Sequence, residues 1–246
     1  KTLNICPEDL KKKITPKTKA VIAVHMLGSP AKLREISDIC KENNIYLIED
    51  TAWGCGGKLD SKFLGTWGDI GTFSFDFAKT MTTGEGGMLI CKNEDIYKKA
   101  SAWHDHGHEN NPNVPRWKDT RKSSGFNYRM TELQGAVGIA QLKKLNKIIK
   151  LQKYNANKIL KDIRNLPNLE IRNCDDHCSQ TYDSLIVIFK EKSLAEKCRI
   201  DLNKKSINTK ILPEAKTWHF AKYWVHMPEL SISHKKKNES NVFFSG

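Results

Sequence analysis

Apolar positions in the first half of the chain follow two alternating patterns. Residues 20–26 (AVIAVHM) and 45–50 (IYLIED) are compact apolar runs, which predict buried strands. Between them, residues 31–44 place apolar side chains at helical spacing, which predicts a helix. The same patterns predict further helices over 8–14 and 94–104 and further strands over 71–75 and 86–92. Strands and helices that alternate in this way indicate a parallel sheet covered by helices on both faces.

The second half of the chain is organised differently. Residues 105–124 are polar and contain two prolines, which predicts a long loop, and such loops in compact domains tend to be functional. Residues 130–163 keep helical spacing without proline and predict one long helix or two. A small α/β sheet is then predicted from a strand over 184–189, a helix over 193–204 and a strand over 207–212. We therefore expect a large domain over 1–145 and, over 146–246, a connecting helix with a small domain.

Composition indicates a packed protein in a reducing compartment. Hydrophobic residues make up 39% of the 246, which is enough for a core and excludes disorder over most of the length. No run reaches the roughly 18 apolar residues of a membrane span, and the first ten residues contain no signal-peptide core. The seven cysteines are scattered, which favours reduced thiols over a disulfide framework. These features predict a cytoplasmic protein that does not contact a membrane.

The chain is strongly basic, with a net charge of +13 from 41 Lys and Arg against 28 Asp and Glu. Such an excess can serve binding to nucleic acid or anionic lipid. The lysines are spread along predicted helices and do not alternate with aromatic residues, which favours a solvated surface over a nucleic-acid site. We expect no nucleic-acid partner; a phosphorylated or acidic small substrate also fits the charge.

Two residues point to cofactor chemistry. Asp50 ends the strand predicted over 45–50, and Lys79 follows the strand predicted over 71–75. Chemistry in parallel sheets collects at the carboxyl ends of the strands. A lysine amine there can form a Schiff base with pyridoxal phosphate, and a carboxylate can keep the ring nitrogen of that cofactor protonated. The alternatives are that Asp50 is a helix N-cap and that Lys79 is a solvated surface lysine.

Three segments resemble the DegT/DnrJ/EryC1/StrS family of sugar aminotransferases: residues 15–36, 48–90 and 125–145. The second contains the block FSFDFAKTMTTGEGG, and the third begins with GFNYRM. The resemblance implies a truncated, three-layer fold-type I sheet that binds pyridoxal 5'-phosphate (PLP), with a smaller C-terminal α/β domain. Residues 1–145 would then be part of the large PLP-binding domain, and the small domain would be incomplete.

The resemblance also assigns roles to residues of this chain. Lys79 matches the Schiff-base lysine, Asp50 the carboxylate that pairs with the ring nitrogen, and Ser74 a phosphate-binding serine. Asn127 matches an asparagine that reaches the phosphate of the neighbouring subunit, so the resemblance implies a homodimer with a shared active site. Members with His in place of the lysine are dehydratases, and Lys79 therefore favours an aminotransferase.

The chain departs from the family pattern in two ways. Trp53 stands three residues after the aspartate, where the family has Gln or His, and its indole either stacks on the cofactor ring or packs away from it. The chain also shows no counterpart of a family portion that precedes residue 1 and carries a Gly-Ser or Gly-Thr pair for the phosphate. Since it does not begin with Met either, we expect a fragment of a longer protein.

The substrate implied by the resemblance is a keto-sugar, with an amino acid, glutamate, as the amino donor, in amino-sugar and lipopolysaccharide biosynthesis. Residues 24–33 and 104–111, and more faintly 217–224, are similar to the branch that aminates an octulosonate, whereas most members aminate nucleotide-linked keto-sugars. His106 and Arg129 are candidate substrate-binding residues. The alternative for Arg129 is pairing or capping at the start of the long helix.

Other interpretations stay open for the loop and for the whole chain. The run HDHGHE (104–109) is interpreted as a substrate-facing loop or a solvated loop; we expect no metal there, because tetrahedral sites usually draw on separated elements. The rival functions are a catalytically inactive sensor or partner-binding protein of the same fold, and a nucleic-acid binder that uses the +13 charge.

Overall fold

The computed structural model describes residues 2–211 and Met227. Its helices are α1 (Pro7–Lys13), α2 (Leu33–Glu42), α3 (Glu94–His104), α4 (Glu132–Ile163) and α5 (Lys192–Lys204). Its strands are β1 (Ala20–Val24), β2 (Tyr46–Asp50), β3 (Lys58–Leu59), β4 (Lys62–Phe63), β5 (Ile70–Ser74), β6 (Gly87–Cys91), β7 (Leu169–Ile171), β8 (Cys178–Ser179) and β9 (Val187–Phe189). In this part of the chain, no helix combines the length and the apolar character that a membrane crossing requires.

Four strands form the central sheet, in the order β1-β2-β5-β6. Strands β1, β2 and β5 run parallel, and β6 runs antiparallel to β5. The prediction of a parallel sheet was therefore wrong for β6. The reason lies in the connection, because residues 75–86 contain no helix and a parallel return needs a crossover, usually a helix.

The two faces of this sheet differ in burial. Val21 and Leu47 point to the face that packs with α1 and α2, and they are 6% and 3% exposed. Leu33 of α2 is completely buried in the same core. On the opposite face, Ile22 and Tyr46 are 61% and 56% exposed. The prediction that helices cover both faces is thus confirmed for one face in the part of the chain that the structure describes.

The sequence predicted one long helix or two over residues 130–163, and the structure contains one, α4. This helix buries one stripe of side chains, because residues four and seven apart recur on the same face of a helix. The stripe comprises Gly138, Leu145, Ile149, Ala156 and Leu160. Two of its members, Leu145 and Ile149, pack with Phe75 and Met81 in a second core beside the carboxyl end of β5.

The described residues group into two compact units: residues 2–160 with 173–185, and residues 161–172 with the described residues from 186 onward. In the second unit, β7 pairs antiparallel with β9, and α5 packs on β9. The predicted strand over 184–189 is confirmed as the shorter β9. The predicted helix over 193–204 is confirmed as α5, which begins one residue earlier. Residues 207–211 form no strand, and β7, which the sequence did not reveal, pairs with β9 instead. Residue 212 and the similarity over 217–224 lie outside the described residues.

Candidate functional site

Asp50 ends β2 and faces the exposed side of the central sheet. Its register partners are Val24 on β1 and Thr72 on β5. Since paired residues of neighbouring strands point to the same face, and residues two apart on one strand do so as well, Asp50, Thr72 and Ser74 share a face. The half-buried carboxylate of Asp50 accepts a hydrogen bond from the backbone N–H of Ala52 at 3.0 Å. A carboxylate and two hydroxyl groups are therefore gathered at the ends of two parallel strands.

Lys79 is brought to this end of the sheet by the turn that follows β5. Its backbone N–H donates to the carbonyl of Asp76 at 3.1 Å, and the Asp76 carboxylate accepts the N–H of Ala78 at 2.7 Å. The half-buried Lys79 ammonium lies over the indole of Trp53, 4.4 Å from the ring centroid. This is cation–π distance. The loop that carries the lysine thus meets the turn that begins at Asp50.

The glycine-rich turn after Lys79 is held by its own threonines. The hydroxyl of Thr82 donates to the carbonyl of Phe75 at 3.2 Å and accepts the N–H of Gly84 at 3.0 Å. Gly84 and Gly86 have φ values of 82° and 153°, which favour glycine. The backbone N–H of Gly84 is therefore already paired within the turn.

A buried acid–histidine pair lies directly beneath Asp50. His25 and Glu49 are both completely buried, with His25 Nε2 and Glu49 Oε2 3.0 Å apart. His25 Nδ1 accepts the N–H of Ala31 at 3.1 Å, so the proton of the neutral ring is on Nε2 and is donated to Glu49. Glu49 also accepts three backbone N–H groups, at 2.8, 2.6 and 2.7 Å, from Gly65, Trp67 and Gly68.

These hydrogen bonds determine the charge of Glu49. Burial is the largest single influence and acts to raise its pKa, but the hydrogen bonds from His25, Gly68 and Gly65 together outweigh burial and hold the pKa below the usual value. Sequence reasoning missed Glu49 as a supporting residue. The signal was present, because strand alternation sends adjacent acids 49 and 50 to opposite faces.

A segment distant in sequence, residues 173–185, contacts the neighbours of Lys79, and sequence reasoning did not predict this. Thr181 is completely buried, and its hydroxyl donates to the carbonyl of Trp53 at 3.4 Å. The half-buried carboxylate of Asp183 accepts a hydrogen bond from the hydroxyl of Thr80 at 3.3 Å. Burial raises the pKa of Asp183, against the opposing effects of Thr80 and of the Lys79 charge. No local sequence pattern in residues 173–185 predicts that Thr181 and Asp183 contact Trp53 and Thr80.

The loop after α3 is organised around Asp105, which is 4% exposed. Arg116 binds its two oxygens at 2.7 and 2.6 Å, Arg129 Nε lies 3.4 Å away and His106 Nδ1 3.5 Å away. Hydrogen bonding by Arg116 is the main reason that the pKa of Asp105 lies well below its usual range. Asn127 pairs with Asp105 through the backbone, and its side-chain oxygen accepts from Arg129 Nε at 3.1 Å.

The structure thus divides the sequence-predicted residues into two groups. Asp50, Trp53, Ser74 and Lys79 lie at the carboxyl ends of β2 and β5. His106, Asn127 and Arg129 gather around Asp105, with their side chains exposed. Within residues 2–211, no hydrogen bond or ion pair joins the second group to Asp50 or Lys79.

The histidines of the run 104–109 point to different partners. His104 contacts the carbonyl of Ser101 at 2.5 Å, and His106 is half-exposed beside Asp105. His108 bonds through Nδ1 to Asp119 at 3.1 Å. Over the described ranges, no three His, Cys, Asp or Glu side chains are arranged to hold a metal ion. Farther along, Cys174 and Cys178 form a disulfide, whereas the sequence favoured reduced thiols.

Comparison with protein families gives a match over nearly the whole chain. A model of the DegT/DnrJ/EryC1/StrS aminotransferase family matches residues 1–236. The match extends across the ends of β2 and β5 and the loop around Asp105.

Curated relatives are longer than this chain. The chain is 39% identical over 166 residues to the GDP-perosamine synthase of Vibrio cholerae, which is 68% of this chain and 44% of that protein. It is 34% identical over 209 residues to the GDP-perosamine synthase of Escherichia coli O157:H7, which is 85% of this chain and 56% of that protein. The chain therefore spans about half the length of the curated relatives that it matches.

A solved structure agrees with the fold. E. coli GDP-4-keto-6-deoxy-D-mannose-3-dehydratase with bound hydrated PLP is 30% identical, with a TM-score of 0.74 over 83% of this chain and 57% of that one. The α/β, fold-type I class expected from the sequence is confirmed by this likeness.

Proposed function

The chain belongs to the DegT/DnrJ/EryC1/StrS aminotransferase family, and from this premise we propose that it carries the cofactor site of a PLP-dependent sugar aminotransferase. The enzyme moves an amino group from an amino acid, glutamate, to a keto-sugar. The observation that carries the proposal is the meeting of two segments: the Lys79 ammonium lies 4.4 Å from the centroid of the Trp53 ring, three residues after Asp50.

The groups at this end of the sheet fit the cofactor. The strand register sets the Asp50 carboxylate and the Ser74 hydroxyl on one face, and Lys79 adds a primary amine at the same end. Asp50 would hold the ring nitrogen, Ser74 the phosphate and Lys79 the aldehyde carbon, while the indole of Trp53 offers an aromatic face to the ring. When bound, PLP supplies an electron sink for the bonds of the amino-bearing carbon.

Lys79 is the residue to which we assign proton transfer. Its Nζ would take the proton from the α-carbon of the amino donor and deliver it to the cofactor, and would move a proton onto the sugar carbon in the second half, as general base and general acid in each half. Asp50 would keep a proton on the ring nitrogen. The buried Glu49–His25 pair supports this role, because it ties the end of β2 to the next turn and so fixes the backbone of Asp50.

We place the substrate among nucleotide-linked keto-sugars. Relatives named for GDP-linked sugars support this choice, and the basic chain suits a diphosphate. The alternative, an octulosonate, draws on the similarity over 24–33 and 104–111. That similarity includes His25, which is completely buried on Glu49 and so offers no contact to a substrate.

We further propose a homodimer whose partner completes the site. His106, Asn127 and Arg129 have exposed side chains, and within residues 2–211 no hydrogen bond or ion pair joins them to the Lys79 of their own chain. Large exposed apolar side chains lie on the same stretch and near the lysine: Phe77 (77%), Phe126 (52%), Tyr128 (66%) and Leu133 (81%). Exposed apolar side chains in such number indicate an interaction surface, and we infer that a second copy of the chain covers them symmetrically.

Turnover by the full-length protein tests the proposal. With PLP, glutamate and GDP-4-keto-6-deoxy-D-mannose, we expect glutamate-dependent formation of an amino sugar. Lys79→Ala should abolish turnover, while Lys12→Ala on α1 should retain it. Turnover by a pure Lys79→Ala protein would refute the assignment. A higher kcat/KM with an octulosonate ketone would contradict the substrate class, and a colourless protein without turnover would favour the inactive sensor.

A further inference from the structure

We propose that Asp183 is a positioning residue for Lys79: its carboxylate stabilises the positively charged form of the Lys79 nitrogen. The inference rests on the proposed function, because it concerns the lysine that holds the cofactor. It adds a residue from a segment that no sequence motif connected to the site.

The segment of residues 173–185 contacts two neighbours of the lysine, Trp53 and Thr80. The Thr181 hydroxyl donates to the carbonyl of Trp53, whose ring carries the Lys79 ammonium. Asp183 accepts a hydrogen bond at 3.3 Å from Thr80, the residue next to Lys79. Thr181 is completely buried, so this docking is part of the packed unit.

Asp183 and Lys79 also carry opposite charges. Asp183 is half-buried, and the positive charge of Lys79 acts to lower its pKa, which favours the ionised carboxylate. Partial burial strengthens such an attraction, because less solvent screens it. Thr80 and Trp53 are neutral and do not titrate near pH 7, and the carboxylate of Asp76 in the same loop is directed to the N–H of Ala78.

A pH titration of the visible absorbance of the PLP-loaded, full-length protein tests this role. We expect the midpoint of the absorbance change to move to lower pH in Asp183→Asn by at least about half a pH unit, since loss of a nearby negative charge disfavours a cation. Asp183→Glu should restore most of the midpoint. Asp176→Asn, which removes an exposed carboxylate from the same segment, should leave it unchanged.

The titration separates the role of Asp183 from the assignment of the cofactor site. A visible band with an unchanged midpoint in Asp183→Asn would overturn the role of Asp183 and leave the cofactor assignment intact. Absence of the band in the unmodified protein would overturn the proposed function itself. Should Asp183→Asn fold poorly, Thr80→Val tests the same contact: it should shift the midpoint in the same direction by less, and an unchanged midpoint counts against the proposal.

Discussion

At the scale of single residues, Glu49 is the most constrained carboxylate of the site. Replacing it by Gln leaves one acceptor oxygen and sets an NH₂ group against backbone N–H donors that now point at Glu49. We expect Glu49→Gln to lower the free energy of unfolding by about 2–4 kcal/mol, because buried donors lose their partners. Urea denaturation measures this, with the exposed Glu42→Gln as control; equal stabilities of the two variants would contradict the account.

Asp105 allows a prediction about pH. Its folded pKa lies well below the ordinary value of 3.8, so the ionised form contributes stability above about pH 4, and this contribution is lost as the pH falls further. Asp105→Asn should therefore be less stable than the unmodified protein by about 1–3 kcal/mol at pH 7. The difference should shrink below pH 4. Urea denaturation across this range checks it, and a difference that is independent of pH would argue against the charge of Asp105.

Sequence reasoning identified some of these residues and not others. Asp50 ends an apolar strand and Lys79 follows another, so their types and positions were informative. Glu49 was passed over although alternation turns it to the core. Asp183 had no signal at all, since only the folding of a distant segment brings it to Thr80.

At the scale of elements, β5 needs glycine at position 71. A methyl group there would meet the backbone carbonyl of Gly65, which cannot move without disturbing the turn held by Glu49. We expect Gly71→Ala to lower the free energy of unfolding by about 2–3 kcal/mol through overpacking. Gly135→Ala on α4 has open space around it and should be neutral or slightly stabilising. Similar thermal stabilities of the two variants would contradict this packing.

The elements themselves were largely predictable, and their partners less so. Hydrophobic spacing located α1 to α4 and the four strands of the central sheet to within a few residues, but it did not predict the two-residue strands β3, β4 and β8. It did not reveal that β6 turns back antiparallel, because the direction depends on a connection without a helix. The pairing of β7 with β9 was missed for a different reason, since a three-residue strand leaves little pattern to recognise.

At the scale of the whole molecule, the proposed homodimer can be disrupted at one residue. Leu133 is 81% exposed at the start of α4, next to the loop that carries Asn127. Leu133→Asp would bury a charge in a subunit interface, so we expect the full-length protein to dissociate and to lose affinity for PLP. Sedimentation velocity measures the first effect. Ile200→Asp, an exposed position on α5, is the control, and a Leu133→Asp protein that stays dimeric would exclude this surface.

The domain boundary expected near residue 145 stays a prediction. The described residues separate into two compact units, and the chain spans about half of its curated relatives. A test of the boundary therefore belongs to the full-length protein.

The most direct test asks which lysine holds PLP. The full-length protein is incubated with PLP, reduced with borohydride, digested and analysed by mass spectrometry, after its absorbance near about 420 nm has been recorded. We expect a single phosphopyridoxyl label on Lys79 and loss of the visible band on reduction. A label on another of the chain's lysines, or none, would contradict this expectation.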